Sequence, residues 1–303
     1  MAIQESIIIF ASNAYNVVAD KIATFISLFG TSYVLIPVMV ILYWALDKKK
    51  GYVAGATFLT ANSVNNTIKS IVKFPRPWMV LSDRLGQRDV HATGYSFPSG
   101  HSCSSASLYG SIANLYRKKW LSIVCITLII LVGVSRVYLC VHWPLDVICG
   151  LAIGFICVWL LNALFARVYD DDSLFMKVNY ILGAVTAVGG VVTGLLLDSG
   201  KYEIIQFKDL CQNLEFLAGA LVGYALERKT CCFIIEEGNV LKKIIRVVIG
   251  AVGAVALMLY FKKLMALIGL EYTYLAYAVN YFVIGLWCAW LWPLIGKKVK
   301  LFA

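Results

Sequence analysis

Charged side chains are scarce in this sequence. Asp, Glu, Lys and Arg make up only 15% of the 303 residues, whereas 60% of the residues are hydrophobic and the mean hydropathy is +0.78. A water-soluble domain carries about a quarter of its residues as charged ones. The shortage of charge therefore excludes a soluble enzyme and indicates an integral membrane protein.

Several other features are missing. The sequence has no internal repeat, no low-complexity tract and no polar stretch long enough to be a separate soluble domain. Its nine cysteines show no disulfide pattern, and no C-x-x-C motif lies beside histidines in the manner of a metal site. No basic residue precedes Lys21, so we expect no cleaved secretory signal.

What the sequence has instead is a series of long apolar stretches. Nine of them are long enough, or nearly so, to cross a bilayer as helices. They lie near 31–47, 51–73, 99–116, 120–141, 143–167, 176–198, 213–227, 242–261 and 274–296. Residues 3–28 are less continuously apolar and predict one helix at the membrane interface, with a first span as the alternative. The predicted fold class is all-α, a polytopic transmembrane bundle of about nine spans.

The net charge of +10 does not indicate a nucleic-acid partner, because the basic residues gather at alternate helix ends. Sixteen of the 27 Lys and Arg lie on one predicted side of the membrane. By the positive-inside rule this side is cytoplasmic, which places the C-terminus inside and the N-terminus outside. The sixteen are Lys48, Lys49, Lys50, Arg117, Lys118, Lys119, Arg167, Lys177, Arg228, Lys229, Lys242, Lys243, Arg246, Lys297, Lys298 and Lys300.

The first of three chemically distinctive blocks contains Lys69 and Arg76. They are seven residues apart, almost two helical turns, so we expect both to project from one face of the second span. Pro75 and Pro77 end that helix and fix the chain around Arg76. A planar guanidinium suits two phosphate oxygens, and Lys69 adds a point charge. Alone, the block is equally typical of a basic helix end at the membrane surface.

The second block is Pro98-Ser99-Gly100-His101, at the start of the third span. Ser99 is a natural N-cap, and Gly100 lets the backbone approach a ligand closely. The exposed amides and the positive end of the helix dipole make this an anion site. His101, in the first turn, is placed to protonate a leaving oxygen. Alone, the tripeptide Ser-Gly-His is more typical of an ordinary helix start.

The third block joins the end of the fourth span, at Ser135 and Arg136, to the start of the fifth. His142 and Asp146 are four residues apart, so the carboxylate can accept one ring N–H and leave the other nitrogen free as a nucleophile. Alone, such a pair is a common local capping contact. The neighbouring Arg136 is costly to bury in a membrane, which favours a functional site.

Together and in this order, the blocks resemble the three signatures of the type-2 phosphatidic acid phosphatase superfamily. The matching segments are Lys69-x6-Arg76-Pro77, Pro98-Ser99-Gly100-His101 and Ser135-Arg136-x5-His142-x3-Asp146. That superfamily includes lipid phosphate phosphatases, undecaprenyl-diphosphate phosphatases, glucose-6-phosphatases and soluble vanadium haloperoxidases. The resemblance covers about residues 31–165, and its flanking residues look most like those of bacterial members.

The resemblance implies a role for each motif residue. His142 attacks phosphorus, Asp146 orients it, and His101 donates a proton to the leaving group. The phosphoryl oxygens are held by Lys69, Arg76, Ser99, Gly100 and Arg136. The resemblance also implies that no metal or other cofactor takes part, because three cations and helix amides can offset the charge of the transition state.

We therefore expect three parts in the chain: an N-terminal interfacial helix at 1–30, a catalytic phosphatase core at 31–167, and additional transmembrane helices at 168–303. The last part carries no catalytic motif and is expected to be scaffold or a dimer surface. The polar stretch 74–98 is expected to cap the site and carry selectivity. Its aromatic residues Trp78, Tyr95 and Phe97, with His91, are candidate substrate contacts or interface anchors.

The expected function is hydrolysis of a lipid phosphate or diphosphate monoester through a phosphohistidine, at the extracytoplasmic face of a bacterial plasma membrane. Phosphatidic acid, phosphatidylglycerophosphate and undecaprenyl diphosphate are candidate substrates, and the oligomeric state stays open. One alternative is a glucose-6-phosphatase-like sugar phosphatase, which has a similar nine-span layout but departs from the motif at the carboxylate that Asp146 supplies here. A phosphotransferase and, among non-enzymes, a lipid transporter are the others.

Overall fold

A computed structural model describes residues 2–85, 92–235, 239–267, 269 and 273–302. Within these ranges the chain is helical and contains no strand, which confirms the all-α fold class. The helices are α1 (Ala2–Asn13), α2 (Val17–Leu28), α3 (Ser32–Ile41), α4 (Lys48–Val72), α5 (Pro77–Val80), α6 (Gly100–Tyr116), α7 (Lys119–Tyr138), α8 (Pro144–Asp170), α9 (Asp172–Asp198), α10 (Ile204–Thr230), α11 (Val240–Leu267), α12 (Tyr274–Leu286) and α13 (Trp292–Lys298). Two π-helical turns, Leu42–Leu46 and Trp287–Leu291, extend α3 and join α12 to α13.

Within the part of the chain that the structure describes, six helical segments are long and apolar enough to cross a membrane. They are Val17–Leu46, Lys119–Tyr138, Pro144–Asp170, Asp172–Asp198, Val240–Leu267 and Tyr274–Lys298. The protein is thus an integral membrane helical bundle, but the predicted count of nine spans is not confirmed. Helices α4, α6 and α10 coincide with predicted spans, but α6 is only 17 residues long and the other two are richer in polar side chains.

The N-terminal segment differs from the prediction. Instead of one helix over 3–28, the structure has α1 and α2, separated at residues 14–16. The cause is Asn16, whose Oδ1 accepts hydrogen bonds from the amides of Val18 and Ala19 at 2.9 and 3.3 Å and so caps a new helix. The prediction of a single helix is wrong, and α2 forms part of the candidate span that ends at Leu46.

The chain forms two compact units. The first comprises Met1–Ile36 and Thr60–Asn162, and it holds every predicted site residue. The second comprises Pro37–Leu59 and Ala163–Ala303. The three-part division made from the sequence stays a prediction.

In the first unit, two glycines of α8 let it pack closely on α6. A Cβ on Gly150 would lie 2.5 Å from the carbonyl oxygen of Ser99, and one on Gly154 would lie 2.6 Å from the Cβ of Ala106. Small residues four positions apart form one face along which helix backbones approach each other. This contact fixes the start of α6 against the first turns of α8.

In the second unit, α10 packs against both α9 and α12. Glycines again allow the close approach. Gly190 of α9 lies against Glu215 of α10, and Gly219 of α10 lies against the backbone of Phe282 in α12. The three helices therefore form one tightly packed group.

Candidate active site

Lys69 and Arg76 do not share a helix face. Helix α4 ends at Val72, Lys73 takes a left-handed conformation with φ of 52°, and Arg76 has an extended backbone as the residue before α5. The prediction that both cations project from one face is wrong. Pro75 and Pro77 explain the difference, because proline supplies no amide hydrogen and disfavours helical conformation in the residue before it.

The two cations nevertheless bind neighbouring carbonyl groups. Lys69 Nζ donates to the carbonyl of Tyr95 at 3.1 Å, while Arg76 donates through Nε to Gly94 at 2.8 Å and through Nη2 to Thr93 at 2.7 Å. Gly94 has a φ of 81°, which glycine adopts without strain. Part of the predicted cap thus lies directly against both cations. Residues 86–91, including His91, lie outside the described residues.

His142 is buried between a cation and a carboxylate, with 2% of its surface exposed. Its Nε2 lies 3.3 Å from Nη1 of Arg76, and its Nδ1 lies 3.4 Å from Oδ2 of Asp146. Because a guanidinium can only donate, we assign the ring proton to Nδ1 and the lone pair to Nε2. Burial, and then the charge of Arg76, hold the pKa of His142 well below its usual range, so the ring is neutral at pH 7.

Asp146 is fixed by two further donors. Its Oδ2 accepts a hydrogen bond from the amide of Trp143 at 2.8 Å and another from the hydroxyl of Ser96. Ser96 is fully buried, and its Oγ also lies 3.4 Å from Nδ1 of His142. Sequence reasoning missed Ser96, because a serine two residues before Pro98 carries no chemical signal of its own. The need of a buried carboxylate for additional donors is the signal that could have indicated such a residue.

Arg136 lies in the last turn of α7 and is 7% exposed. Its Nη1 donates to the hydroxyl of Ser27 in α2, whereas its Nε has no hydrogen-bond partner among the described residues. A buried donor without a partner is costly unless a ligand supplies one. Ser27 was also missed, because it lies in a segment that the sequence assigned to the membrane interface.

The start of α6 has the predicted N-cap. The Oγ of Ser99 accepts hydrogen bonds from the amide and the hydroxyl of Ser102, at 3.4 and 2.9 Å. The amide of Ser99 donates to the carbonyl of Asp146 at 2.9 Å, which ties the second block to the third. Gly100 is the first residue of α6. A Cβ placed on Gly100 would lie 3.9 Å from Nδ2 of Asn65.

His101 is partly exposed and follows Gly100 in the first turn of α6. It lies against Gly30, where an added Cβ would be 3.0 Å from the Cβ of His101 and 2.7 Å from a methyl of Val132. The carbonyl of Phe29 also accepts a hydrogen bond from Tyr109 at 2.9 Å. The turn after α2 therefore packs on α6 beside the histidine.

The structure thus connects the three blocks within one unit. Arg76 and Asp146 each contact His142, and Ser99 is hydrogen-bonded to the backbone of Asp146. Lys69 binds the carbonyl of the residue that follows Gly94, which Arg76 binds. Arg136 and His101 are each packed against the region of α2. A neutral imidazole with an unprotonated nitrogen, buried beside fixed cations, is chemically suited to attack a phosphate group. In an integral membrane protein, these features define a membrane-bound phosphatase.

Comparison with known proteins gives the family. Residues 51–170, which include every predicted site residue, match the PAP2 superfamily. Residues 213–303 match the PAP2 superfamily phosphatase transmembrane extension. The chain belongs to the PAP2 superfamily.

Named relatives are phosphatases. The undecaprenyl-diphosphatase of Sulfolobus acidocaldarius is 33% identical over 144 residues, which cover 46% of this chain and 68% of that protein. Phosphatidylglycerophosphatase B of Bacillus subtilis is 30% identical over 156 residues, covering 47% and 73%. The crystal structure of a transmembrane PAP2-type phosphatidylglycerolphosphate phosphatase from Bacillus subtilis is 27% identical, with a TM-score of 0.48 over 55% of this chain and 86% of that one.

Proposed function

We propose that this protein is a metal-independent phosphatase that hydrolyses a lipid phosphate or diphosphate monoester through a phosphohistidine at His142. The observation that carries the proposal is the pair of contacts on the His142 ring. Arg76 lies beside Nε2, and Asp146 lies beside Nδ1. This pair of contacts supports a neutral imidazole whose lone pair is available for attack.

In the first step, Nε2 of His142 attacks phosphorus and the bond from phosphorus to the leaving oxygen breaks. His101 gives its proton to that oxygen. The ring of His142 becomes cationic, and Asp146 stabilises it through the Nδ1–H. In the second step, water attacks the phosphohistidine, the P–N bond breaks, and His101 takes the proton of the water. Phosphate leaves and both histidines return to their initial states.

The cations stabilise the charge that develops on the phosphoryl oxygens. Lys69, Arg76 and Arg136 are fixed by hydrogen bonds to the protein, so they need not reorganise when the reaction occurs. The Nε of Arg136, which has no partner among the described residues, would bind one oxygen. The amides at the start of α6 would bind another, as the positive end of a helix does.

A lipid substrate is supported by the surroundings of the site. Helix α7 exposes Ile130 and Val134 within two turns of Arg136, and α8 exposes Leu145 and Ile148 on either side of Asp146. Such surfaces are typical of contact with hydrocarbon, from which a lipid can reach the site laterally. The relatives named for undecaprenyl diphosphate and phosphatidylglycerophosphate are consistent with this class of substrate. The distribution of basic residues supports an extracytoplasmic site.

The experiment is phosphate release by the purified protein in detergent with a chelator present. The panel contains phosphatidic acid, phosphatidylglycerophosphate, undecaprenyl diphosphate and glucose 6-phosphate. We expect turnover of at least one lipid, no loss with chelator, and no turnover by His142→Ala. A preference for glucose 6-phosphate would overturn the lipid assignment, and transfer of labelled phosphate to an added alcohol in place of water would identify a phosphotransferase. Wild-type activity in His142→Ala would overturn the proposal.

A further inference from the structure

The first unit contains a buried amide group that the proposed reaction does not use. Asn65 of α4 is 0% exposed. Neither its Oδ1 nor its Nδ2 has a hydrogen-bond partner in the part of the chain that the structure describes. A buried amide group without partners is costly, which indicates that a ligand or a water molecule supplies them.

Contacts between α4 and α6 place Asn65 beside the start of α6. The hydroxyl of Ser104 in α6 donates to Oδ1 of Asn62 in α4 at 2.6 Å. About one turn later in α4 and one turn earlier in α6, a Cβ placed on Gly100 would lie 3.9 Å from Nδ2 of Asn65. The two helices therefore run antiparallel here, and the amide group of Asn65 is level with the first residue of α6.

The space between Asn65 and Gly100 is open. Apart from the chain neighbours of Gly100 and the backbone of its own helix, Nδ2 of Asn65 is the one described atom within 4 Å of that Cβ position. A Cβ would make ordinary van der Waals contact there, so packing does not require glycine at this position. The glycine instead leaves room for a ligand atom between the amide group and the helix.

Groups that bind anions lie next to Asn65. The backbone amides of Gly100 and His101 are in the first turn of α6, where a helix supplies no acceptor, and neither amide has an acceptor elsewhere in the described ranges. Lys69 lies one turn after Asn65 on the same face of α4, and its Nζ is held by the carbonyl of Tyr95 at 3.1 Å. Asn65 therefore adds a neutral donor to a group of anion-binding donors.

We propose that Asn65 is a further phosphoryl-binding residue, whose Nδ2 donates to one phosphoryl oxygen and whose Oδ1 accepts the hydrogen of a P–OH group. The inference rests on the proposed function, because it takes the phosphoryl group to lie at the start of α6. A phosphoryl group that carries one proton offers an acceptor and a donor together, as the two unpartnered atoms of the amide require. Inorganic phosphate, the product of the reaction, carries such a proton at pH 7.

Equilibrium dialysis of the purified protein with ³²P-labelled phosphate tests this contact without any turnover. Unlabelled sulfate, which has a similar shape but no proton at pH 7, serves as the competitor. The wild type should prefer phosphate to sulfate. Asn65→Leu should bind phosphate about 10–100-fold more weakly, because a hydrogen bond to a charged group is lost, and its preference for phosphate over sulfate should fall.

Asn62→Leu is the matched control. It removes the neighbouring amide, which bonds to Ser104, so it should lower the thermal midpoint and bind phosphate as the wild type does. Asn65→Leu should show the reverse. Without phosphate, its midpoint should equal or exceed that of the wild type, because two unpartnered buried atoms are removed. A lower midpoint with unchanged phosphate binding would assign Asn65 a structural role and overturn the proposal.

Asn65→Asp separates the two contacts, because a carboxylate keeps the acceptor and loses the donor. It should bind phosphate more weakly than the wild type and discriminate against sulfate more strongly. This variant also decides the matter if Asn65→Leu does not fold. Wild-type affinity for phosphate in Asn65→Asp would overturn the proposal, as would a wild-type protein that binds no phosphate or binds sulfate equally well.

These measurements distinguish the inference from the proposed function. If the wild type hydrolyses a lipid phosphate but the Asn65 variants bind phosphate normally, the inference fails and the proposed function stands. If phosphate binding depends on Asn65 but no lipid phosphate is hydrolysed, the phosphoryl-binding site stands and the proposed function fails.

Discussion

Arg76 Nη1 lies 3.3 Å from Nε2 of His142, so the arginine contacts this ring nitrogen directly. The guanidinium has no acceptor, and the imidazole nitrogen must therefore present its lone pair. The ring proton is left on Nδ1, beside Asp146. Arg76 thus sets the tautomer of the proposed nucleophile, and it adds to the effect of burial in keeping the ring neutral before any substrate binds.

The pH dependence of the reaction should reflect this contact. The pKa of His142 is held well below its usual range, first by burial and then by Arg76, so the wild-type enzyme should stay active below pH 6.5. Arg76→Gln removes the nearest positive charge, and the pKa of His142 should rise. The acidic limb of the profile of kcat/KM against pH should then move to higher pH, while the plateau falls by about 10²–10³-fold.

Lys73→Gln is the matched control for Arg76→Gln. It removes an exposed positive charge from the same stretch of chain, so its acidic limb should coincide with that of the wild type. An acidic limb that stays in place in Arg76→Gln would show that this arginine does not control the charge of His142.

Ser96 should act as a positioning residue. Its hydroxyl bonds to Asp146 and lies near His142, but the proposed reaction does not bring it to the substrate. In Ser96→Ala, kcat should fall about 10–100-fold with little change in KM, as is typical when an outer hydrogen-bond partner is lost. Ser82→Ala, at an exposed site in the same region, should behave as the wild type. A raised KM with unchanged kcat in Ser96→Ala would instead indicate a direct substrate contact.

Ser27 connects α2 to the site through a hydrogen bond with Arg136. Its hydroxyl accepts a hydrogen bond from buried Arg136. Ser27→Ala should lower kcat/KM about tenfold, because a bond to a charged group is lost. The control is Thr24→Ala, one turn earlier on the exposed face of α2. Equal activity of both variants would show that α2 does not hold this arginine in place.

The contact between α6 and α8 should be sensitive to a single methyl group. A Cβ on Gly150 would lie 2.5 Å from the backbone oxygen of Ser99, which cannot move aside as a side chain can. Gly150→Ala should lower the free energy of unfolding by about 1–3 kcal/mol and reduce turnover. Gly189→Ala is the control, since its Cβ would meet only the end of Leu214 at 3.3 Å. An unchanged thermal midpoint in Gly150→Ala would contradict this account of the packing.

The sequence predicts those site features that residues close together in the chain form. The N-cap at Ser99 and the pairing of His142 with Asp146 involve residues at most four positions apart, so helical geometry alone predicts them. The apolar runs likewise locate the long helices. The orientation of Arg76 could not be predicted in the same way, because two prolines bend the chain away from the path of α4.

Other site features depend on contacts between distant parts of the chain. Ser27 and Ser96 reach Arg136 and Asp146 across 109 and 50 positions, and no local pattern links them. The spacing of Gly150 and Gly154 is that of a small-residue motif, but it entered none of the sequence predictions. Its partner helix, however, is identified only by the fold. In this protein, the sequence therefore predicts where the helices lie better than it predicts which residues support the site.

The most direct test of the central claim is to trap the phosphorylated enzyme. Wild-type protein and His101→Ala are mixed with a ³²P-labelled aryl phosphate, whose leaving group needs no proton, and quenched within one turnover. The acid-labile label should be mapped to the peptide containing His142, accumulate in His101→Ala because water is no longer activated, and be absent from His142→Ala. Label on another residue, or rapid turnover by His142→Ala, would contradict the account.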